Sequence, residues 1–246
     1  MPSQELAVQF WDNLFATGND LKYRQVEFPD LNHPVLNAAL LHFGSVKGRR
    51  VLDLGCGNGA ASLFFAQQGA EVLSVDYSEV AIRNLSGFCA SHNIETITPV
   101  QLSAQGIAEL GPVDFIYGSM ILHHIEPFHE FAGILRRSLK ANGKAFFHEN
   151  NATSKLLIWF RQNVVGKLWV PKHGDPDEFP LMPSEVDSLR EHFQVRVEIP
   201  ELYFFRLISG YLLRDHLMKP FEAMDRLCYG IRPLRSRSYY QYLFLS

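Results

Sequence analysis

The first residues suited to chemistry are three glycines directly after an apolar strand. They occupy positions 55, 57 and 59 and follow the segment 51–54. Glycine adopts positive φ at low cost and lets a ligand approach the backbone without meeting a Cβ. The helix expected to begin near Asn58 adds free N–H groups and the positive end of its dipole. The spacing therefore predicts a nucleotide-binding loop.

Asp53 interrupts the apolar strand two residues before the first glycine. A buried carboxylate is costly unless hydrogen bonds offset its desolvation, so we expect Asp53 to organise the loop or to face a cationic ligand group. It would repel a pyrophosphate but accept an ammonium or sulfonium group. The segment Gly55-x-Gly57-x-x-Ala60 also fits the relaxed dinucleotide fingerprint, with Asp76 near the ribose-binding position, so spacing alone leaves nicotinamide binding open.

A second group of ionisable residues follows two later strands. His123 and His124 come just after one apolar strand, and His148 and Glu149 end the next. A side chain with a pKa near neutrality can remove a proton from a reacting hydroxyl. All four residues are therefore candidate catalytic residues, with a purely positional role as the alternative for the histidine pair.

The elements that must position these residues alternate between strand and helix from Arg50 onward. The predicted order is strand 50–54, helix 59–68, strand 71–75, helix 78–92, strand 96–101, a short helix, strand 113–118, helix 127–139 and strand 143–149. Before them we expect a helix capped by Ser3 and a second helix over 34–44. This alternation predicts an α/β protein whose parallel sheet is covered on both faces and binds ligands beyond the carboxyl ends of its strands.

Four segments in order resemble motifs of the class I S-adenosylmethionine-dependent methyltransferases, in their small-molecule branch. They are Asp53-x-Gly55-x-Gly57-x-Gly59, Val72-Leu73-Ser74-Val75-Asp76, Asp114-Phe115-Ile116-Tyr117 with Ile121-Leu122-His123-His124-Ile125, and Leu139-Lys140-Ala141-Asn142-Gly143-Lys144, the last resembling the turn before the fifth strand. The resemblance covers roughly residues 45–150. It implies S-adenosyl-L-methionine as the cofactor.

The resemblance also implies which residues bind that cofactor. They are Asp53, Gly55, Cys56, Gly57, Gly59, Asp76, Tyr77, Ser103, Ala104 and Ser119. Asp76 corresponds to the acid that holds the ribose diol. Ser103 stands where many relatives have aspartate, and it is expected to accept a hydrogen bond from the adenine amino group beside the backbone N–H of Ala104. As an equal alternative, Ser103 only caps the helix that begins at Ala104.

The resemblance implies a doubly wound, seven-stranded, mostly parallel sheet of the Rossmann-like methyltransferase type. Residues 194–198 and 239–245 alternate like strands and are expected to be its sixth and seventh strands, the last antiparallel. Helical insertions are predicted after strand 5 and, over 206–229, between strands 6 and 7. We predict a single domain over 1–246, with an N-terminal helical cover (1–48), a cofactor-binding half (49–150) and an acceptor-side half (151–246).

Two segments outside the sheet are candidate covers for the site. For the N-terminal cover, simple packing against the sheet is the default, and the resemblance implies as the alternative that Phe10, Trp11 or Tyr23 contacts the cofactor. Residues 155–169 have the pattern of an amphipathic helix, for which core packing is the default and an acceptor lid or a membrane-surface element the alternatives. For the longer segment 150–180, we predict a cover over the acceptor side of the site. The cluster Arg232, Arg235 and Arg237 is interpreted as solvated surface rather than an anion site.

The composition limits which binding partners and which cellular location we expect. The net charge is −3 with a pI of about 6.4, which gives no general attraction to nucleic acid. Three cysteines without a C-x-x-C pair predict neither a disulfide framework nor a zinc site, and no metal site is expected. A cytoplasmic location is expected, since no basic and apolar leader or uninterrupted run of 18 apolar residues occurs. Peripheral membrane contact and oligomeric state stay open.

The functional prediction is methylation of a small molecule, with O-methylation of a hydroxyl on an aromatic or partly apolar compound of secondary metabolism preferred. Carbon methylation of a quinone-like or isoprenoid ring is the alternative within the same class. Two alternatives belong to other classes. One is a cofactor-binding protein of this fold that no longer transfers methyl, and the other is a nicotinamide-dependent oxidoreductase.

Overall fold

The computed structural model of this chain describes residues 4–17, 25–155, 158–159, 163, 179–213 and 216–246. Within them, seven strands join in one sheet. The strands are β1 (Arg50–Leu54), β2 (Glu71–Asp76), β3 (Ile97–Gln101), β4 (Val113–Ser119), β5 (Leu139–Asn150), β6 (Val195–Glu198) and β7 (Tyr240–Leu245). Their order across the sheet is β3-β2-β1-β4-β5-β7-β6.

The sheet is parallel except at one end. Strand β1 pairs in parallel with β2 and β4, and the parallel pairing continues from β2 to β3 and from β4 to β5. Strand β7 lies between β5 and β6 and runs antiparallel to both. The predicted doubly wound, mostly parallel, seven-stranded sheet is confirmed, together with its antiparallel last strand.

The helices cover both faces of this sheet. They are α1 (Gln4–Thr17), α2 (Pro34–Phe43), α3 (Ala60–Gln67), α4 (Glu79–Ser91), α5 (Phe128–Arg137), α6 (Pro183–Arg190), α7 (Phe205–Leu212), α8 (Met218–Cys228) and α9 (Arg232–Arg235). Two 3-10 helices, Ala104–Leu110 and Leu122–His124, follow β3 and β4. Helices α7 and α8 are the predicted insertion between strands 6 and 7.

Alternating side chains of β1 divide the core into two clusters. Val51 belongs to the cluster that contains Phe64 and Phe65 of α3, whereas Leu52 belongs to the one that contains Phe131 of α5. Successive strand residues point to opposite faces, so a strand buried on both sides is apolar almost throughout. Each fully buried Leu or Phe side chain contributes roughly 1.5 to 3 kcal/mol of transfer free energy.

The connections that follow β1 and β4 go to opposite faces of the sheet, so the topological switch point lies between these two strands. Helices α2, α3 and α4 contribute to one cluster, and α5 and α6 contribute to the other. Connections that leave neighbouring parallel strands toward opposite faces open a crevice beyond the carboxyl ends of those strands. The residues singled out for chemistry follow β1, β2, β4 and β5 at that edge.

The predicted turn at 139–144 needs correction. Strand β5 begins at Leu139, which pairs with Val113, and the next paired residues on these two strands are Lys144 and Phe115. Residues 140–143 therefore bulge opposite Asp114, whose Oδ2 lies 2.8 Å from Lys140 Nζ. Asn142 and Gly143, which suggested a turn, lie in this bulge. A bulge needs flexible backbone just as a turn does.

Several predicted features lie outside the described residues. They are the cap Ser3, the side chain of Tyr23, and most of the amphipathic segment 155–169 and of the cover 150–180. Helix α2 begins at Pro34 as predicted, and Gly44 follows it with φ +82°. None of the helices found among the described residues is both long and apolar enough to cross a membrane.

Candidate active site

The glycine loop after β1 has the backbone conformation that the sequence predicts. Gly55, Gly57 and Gly59 have φ of +69°, +50° and +80°. The N–H groups of Gly55 and Cys56 both donate to the Val75 carbonyl, at 2.8 and 3.0 Å, which ties the loop to the end of β2. Cys56 is buried, and burial raises the pKa of its thiol.

Close packing around the loop adds a second reason for glycine. A Cβ at Gly55 would lie 2.7 Å from Cδ1 of Ile121, and a Cβ at Gly57 would lie 3.3 Å from Cζ of Phe15. The first distance is too short for any side chain without movement of Ile121. The loop is therefore held between the segment after β4 and helix α1.

Asp53 lies beneath the loop, with 2% of its surface exposed. Its Oδ2 accepts a hydrogen bond from Ser62 Oγ at 2.6 Å, and the Ser74 hydroxyl donates to Ser62 Oγ at 2.6 Å. Burial raises the pKa of the Asp53 carboxyl to about 7, and the bonds from Ser62 partly oppose this rise. Of the two roles expected for Asp53, this geometry fits the organisation of the loop.

Asp76 lies at the end of β2 and bonds the glycine loop directly. Its Oδ2 accepts from the Gly57 N–H and its Oδ1 from the Ser78 N–H, each at 2.9 Å. Burial raises the pKa of this carboxyl, while the two backbone bonds oppose the rise. Each carboxylate oxygen can accept a further hydrogen bond. The position therefore suits the expected contact with a ribose diol.

Helix α1 connects three parts of this edge. Its Trp11 ring meets His124 edge to face, with centroids 5.6 Å apart. Its Asp12 accepts a hydrogen bond from the Ser78 hydroxyl at the start of α4. Phe15 is buried against the glycine loop. The N-terminal helix thus contacts the glycine loop, the start of α4 and the segment after β4.

The end of β3 presents the residues expected beside the adenine. Ser103 precedes the 3-10 helix that starts at Ala104, yet its side chain makes no capping hydrogen bond, and its carbonyl accepts from the Gly106 N–H at 3.0 Å. Tyr77 is half-buried, and its carbonyl accepts from Gln101 Nε2 at 3.3 Å. The Ser103 hydroxyl makes no capping bond, which favours the interpretation that it binds a ligand over the interpretation that it caps the 3-10 helix.

Glu149 and His123 form a buried pair that shapes the segment after β4. Glu149 Oε2 lies 2.6 Å from His123 Nδ1, and their side chains are 0% and 1% exposed. The other oxygen, Oε1, accepts from the N–H groups of Ile121 and Leu122 at 2.8 and 2.7 Å. Both residues were candidate catalytic residues from the sequence. Their contacts instead fit a role in holding the segment after β4 in place. His124 lies half-buried beside His123, with ring centroids 4.1 Å apart.

His148 lies apart from that pair, on β5. Its Nδ1 is 3.1 Å from Ser119 Oγ. Burial lowers the pKa of His148 to about 4, so its ring is neutral at neutral pH. Ser119, expected from the resemblance on the cofactor side, therefore contacts the candidate base.

His148 lies among several tyrosines. The sequence analysis did not identify these tyrosines as site residues. We call Tyr203, Tyr239, Tyr240 and Tyr242 the tyrosine cluster. The His148 ring lies 5.1 Å from that of Tyr240 and 5.6 Å from that of Tyr242, and Tyr240 is 5.3 Å from Tyr203. Tyr242 pairs with His148 in the β5–β7 ladder. The only sequence signal was the alternating tyrosine pattern of β7, which does not identify its partner strand.

The predicted site residues thus fall into two neighbouring groups. We call the loop after β1 with the end of β2 the cofactor side, and the end of β5 with the tyrosine cluster the acceptor side, after the ligands that we expect there. A nucleoside with a cationic tail fits the cofactor side because the glycines expose backbone and Asp76 offers carboxylate oxygens. No cluster of three or more His, Cys, Asp or Glu suited to a metal occurs among the described residues.

This sheet order and site define a class I S-adenosylmethionine-dependent methyltransferase domain. Residues 25–191 match the methyltransferase domain family, and the chain therefore belongs to that family. The match covers both the glycine loop and the segment after β4. S-adenosyl-L-methionine is accordingly the cofactor that this domain uses.

Similar proteins of named function are ubiquinone biosynthesis O-methyltransferases. The one from Rickettsia bellii (strain OSU 85-389) is 24% identical over 160 residues, which are 64% of this chain and 65% of that protein. The one from Idiomarina loihiensis is 28% identical over 182 residues, which are 71% of this chain and 72% of that protein. This chain thus spans slightly less than two thirds of the Rickettsia relative.

Solved structures of similar fold include proteins with different activities. The 4+2 cyclase SpnF has a TM-score of 0.63 at 16% identity, covering 97% of this chain and 94% of that one. A putative sarcosine dimethylglycine methyltransferase from Galdieria sulphuraria has a TM-score of 0.59 at 15% identity, covering 97% of both chains. At such identities these structures show the fold, and a fold does not specify its reaction.

Proposed function

We propose that this protein transfers the methyl group of S-adenosylmethionine to the oxygen of a phenolic hydroxyl on a small, partly apolar molecule. The observation that carries the proposal is the half-buried His148 within the tyrosine cluster, at the carboxyl end of the strand next to β4. Aromatic side chains supply apolar area and ring faces for a ring-containing acceptor. The named relatives, which are O-methyltransferases, support an oxygen acceptor.

The cofactor side holds its ligand through the glycine loop and Asp76. When bound, S-adenosylmethionine supplies a methyl group on a positively charged sulfur. The protein then has to hold the acceptor oxygen close and in line, which can lower the barrier by roughly 7 to 11 kcal/mol. Asp53 and the His123–Glu149 pair act through the loops that they support. We assign them positioning roles.

His148 is the residue placed to handle the acceptor proton. With Nδ1–H donating to Ser119 Oγ, the Nε2 lone pair is available for the hydrogen of the acceptor hydroxyl. In the transfer, the bond between the methyl carbon and sulfur would break as the bond to the acceptor oxygen forms, leaving S-adenosylhomocysteine. Nε2 of His148 would take the hydroxyl hydrogen as a proton. The proposal therefore requires this tautomer.

The lowered pKa of His148 favours a phenol as the acceptor. A base whose conjugate acid has a pKa of about 4 is weak, and a phenol with a pKa of about 10 is much easier to deprotonate than an aliphatic alcohol. Carbon methylation of a quinone-like ring would need no such hydroxyl. We therefore place it second.

The test is a methyl-transfer screen over phenols, carboxylates, amines and quinones, with products identified by mass. We expect a phenol to be methylated on oxygen. His148→Gln keeps a hydrogen-bonding group but no base, and it should lower kcat at least ~10-fold while cofactor affinity by calorimetry is unchanged. His129→Gln is the control, because the His129 side chain is 70% exposed on α5. Methylation restricted to carbon or nitrogen, or full activity of His148→Gln, would contradict the proposal.

A further inference from the structure

Helix α8 and its flanks present a row of apolar side chains to solvent. Leu217, Met224, Leu227 and Ile231 are 60%, 40%, 83% and 48% exposed. The spacing of seven and three residues puts Leu217, Met224 and Leu227 on one side of α8, which has ~3.6 residues per turn, and Ile231 follows three residues after the helix ends. Single exposed apolar residues are ordinary on protein surfaces, but several close together mark an interaction site. We call these four residues the α8 row.

Positive charge accompanies the α8 row. The segment 217–237 contains five basic and two acidic residues, in a chain whose net charge is −3. Both acidic side chains are engaged, because Glu222 pairs with Arg226 at 2.8 Å and the buried Asp225 pairs with Arg206 at 3.1 Å. The basic residues of the segment are Lys219, Arg226, Arg232, Arg235 and Arg237. An apolar row in a segment of net positive charge suits a partner that is apolar within and anionic at its surface.

The inner face of α8 leads to the tyrosine cluster. Asp225 accepts the N–H groups of Phe204 and Phe205 at 3.1 and 2.9 Å and so fixes the start of α7. The guanidinium of Arg206, which also bonds Asp225, lies 4.3 Å from the centre of the Tyr203 ring. One helix therefore carries the exposed row on its outside and is tied, through α7, to the residues around His148.

We propose that the outer face of α8 docks the protein on an anionic phospholipid bilayer. The α8 row enters the headgroup region, and the basic residues of 217–237 lie near lipid phosphates, as in helices that lie in the plane of the interface. A second copy of this chain is the less suitable occupant, because a symmetric dimer would bring the same basic residues together. Docking places the acceptor side close to apolar molecules dissolved in the bilayer, but it does not depend on which reaction follows.

The experiment measures binding of the full chain to vesicles by co-sedimentation. We expect binding to phosphatidylcholine vesicles that contain roughly 30% phosphatidylserine, and much weaker binding to phosphatidylcholine alone. Raising the salt concentration from about 0.1 to 0.5 M should weaken the binding because surface charges are then screened. Absence of wild-type binding to the anionic vesicles would overturn the proposal.

A matched pair of variants locates the surface. Leu227→Glu and Leu41→Glu change the charge equally at side chains that are 83% and 86% exposed, on α8 and on α2. We expect Leu227→Glu to lower the partition coefficient at least ~10-fold and Leu41→Glu to change it less than ~2-fold. Equal losses would overturn the assignment to α8. A wild-type dimer in sedimentation velocity that Leu227→Glu dissociates would identify a second copy as the occupant and also overturn it.

Discussion

Asp53 and Asp76 show how position decides what two similar carboxylates do at the residue scale. Both are buried near the glycine loop, and burial is the largest cause of the raised pKa of each carboxyl. Asp53 is bonded by a serine hydroxyl beneath the loop, and Asp76 is bonded by backbone N–H groups at its edge. The first supports the loop from below, whereas the second borders the space that a ligand would enter.

The first prediction concerns pH and Asp53. Its pKa is about 7 in the folded protein and 3.8 in the reference state, so the contribution to stability is fully present below pH 3.8 and is lost as the pH rises through 7. The Asp53→Asn variant has no carboxyl at this position and cannot show this loss. The difference in the free energy of unfolding, variant minus wild type, should therefore increase from pH 4 to pH 8. The expected increase is about 4 kcal/mol, from ~1.4 kcal/mol per pKa unit.

Urea unfolding of both proteins over this pH range gives the measurement. The difference between the two proteins cancels the titration of other groups. A difference that does not depend on pH would mean that Asp53 is charged in both states and that its pKa is not raised. Asp187→Asn, at a side chain 69% exposed on α6, is the control and should show no such trend.

At the element scale, the loops at the carboxyl edge are held by contacts between elements. Glu149 on β5 binds the two N–H groups that begin the 3-10 helix after β4, and Ile121 of that segment packs on the glycine loop. Gly118 of β4 lies beneath the same segment, where a Cβ would be 2.7 Å from Cδ1 of Phe147 and 2.8 Å from Cγ2 of Ile121. The position of each loop therefore depends on its neighbours.

The second prediction compares one substitution in two elements. Gly118→Ala adds a methyl group between two packed side chains and should lower the free energy of unfolding by about 1 to 3 kcal/mol. Gly87→Ala lies within α4, with nothing within 4 Å of the added Cβ, and should raise it by roughly 0.5 to 1 kcal/mol because alanine favours helix. Denaturant melts of the two variants measure both effects. Changes of the same sign would show that the space around Gly118 is larger than described.

On the scale of the whole molecule, the sheet joins a cofactor side to an acceptor side. The cofactor residues follow β1 and β2, and His148 with the tyrosine cluster belongs to β5, β7 and the segment before α7. Helix α1 lies across the first group and reaches His124 after β4. A ligand on the cofactor side therefore contacts elements that are distant in sequence, and its binding should stabilise the entire fold.

The third prediction is a stability change that distinguishes two cofactors. S-adenosylhomocysteine at about 100 times its Kd should add roughly 2.7 kcal/mol to the free energy of unfolding and raise Tm, because it binds only the folded chain. NAD should leave Tm unchanged. Asp76→Ala should weaken the S-adenosylhomocysteine affinity by about 1.5 to 3 kcal/mol, the value of a hydrogen bond to a charged group. Stabilisation by NAD alone, or wild-type affinity in Asp76→Ala, would argue against the site.

Local pattern was enough to predict the alternation of strands and helices and the glycine loop, and the resemblance of four motifs to a known family implied the cofactor. The apolar runs of β1 and β4 are those of strands buried on both faces, and the φ values near Gly57 are ones that glycine adopts readily. These features depend on residues close together in the chain. A linear sequence displays them directly, and the family match over 25–191 agrees with them.

The tertiary structure decided which polar side chains are available for chemistry. The sequence left four candidates open, but Glu149 and His123 are buried against each other, whereas His148 meets Ser119 and the tyrosine cluster. That distinction needs β7 to pair with β5 across some ninety residues of chain, since Tyr242 comes opposite His148 only through that register. Burial and long-range register arise from the packing of the whole chain, so no local pattern could have supplied them.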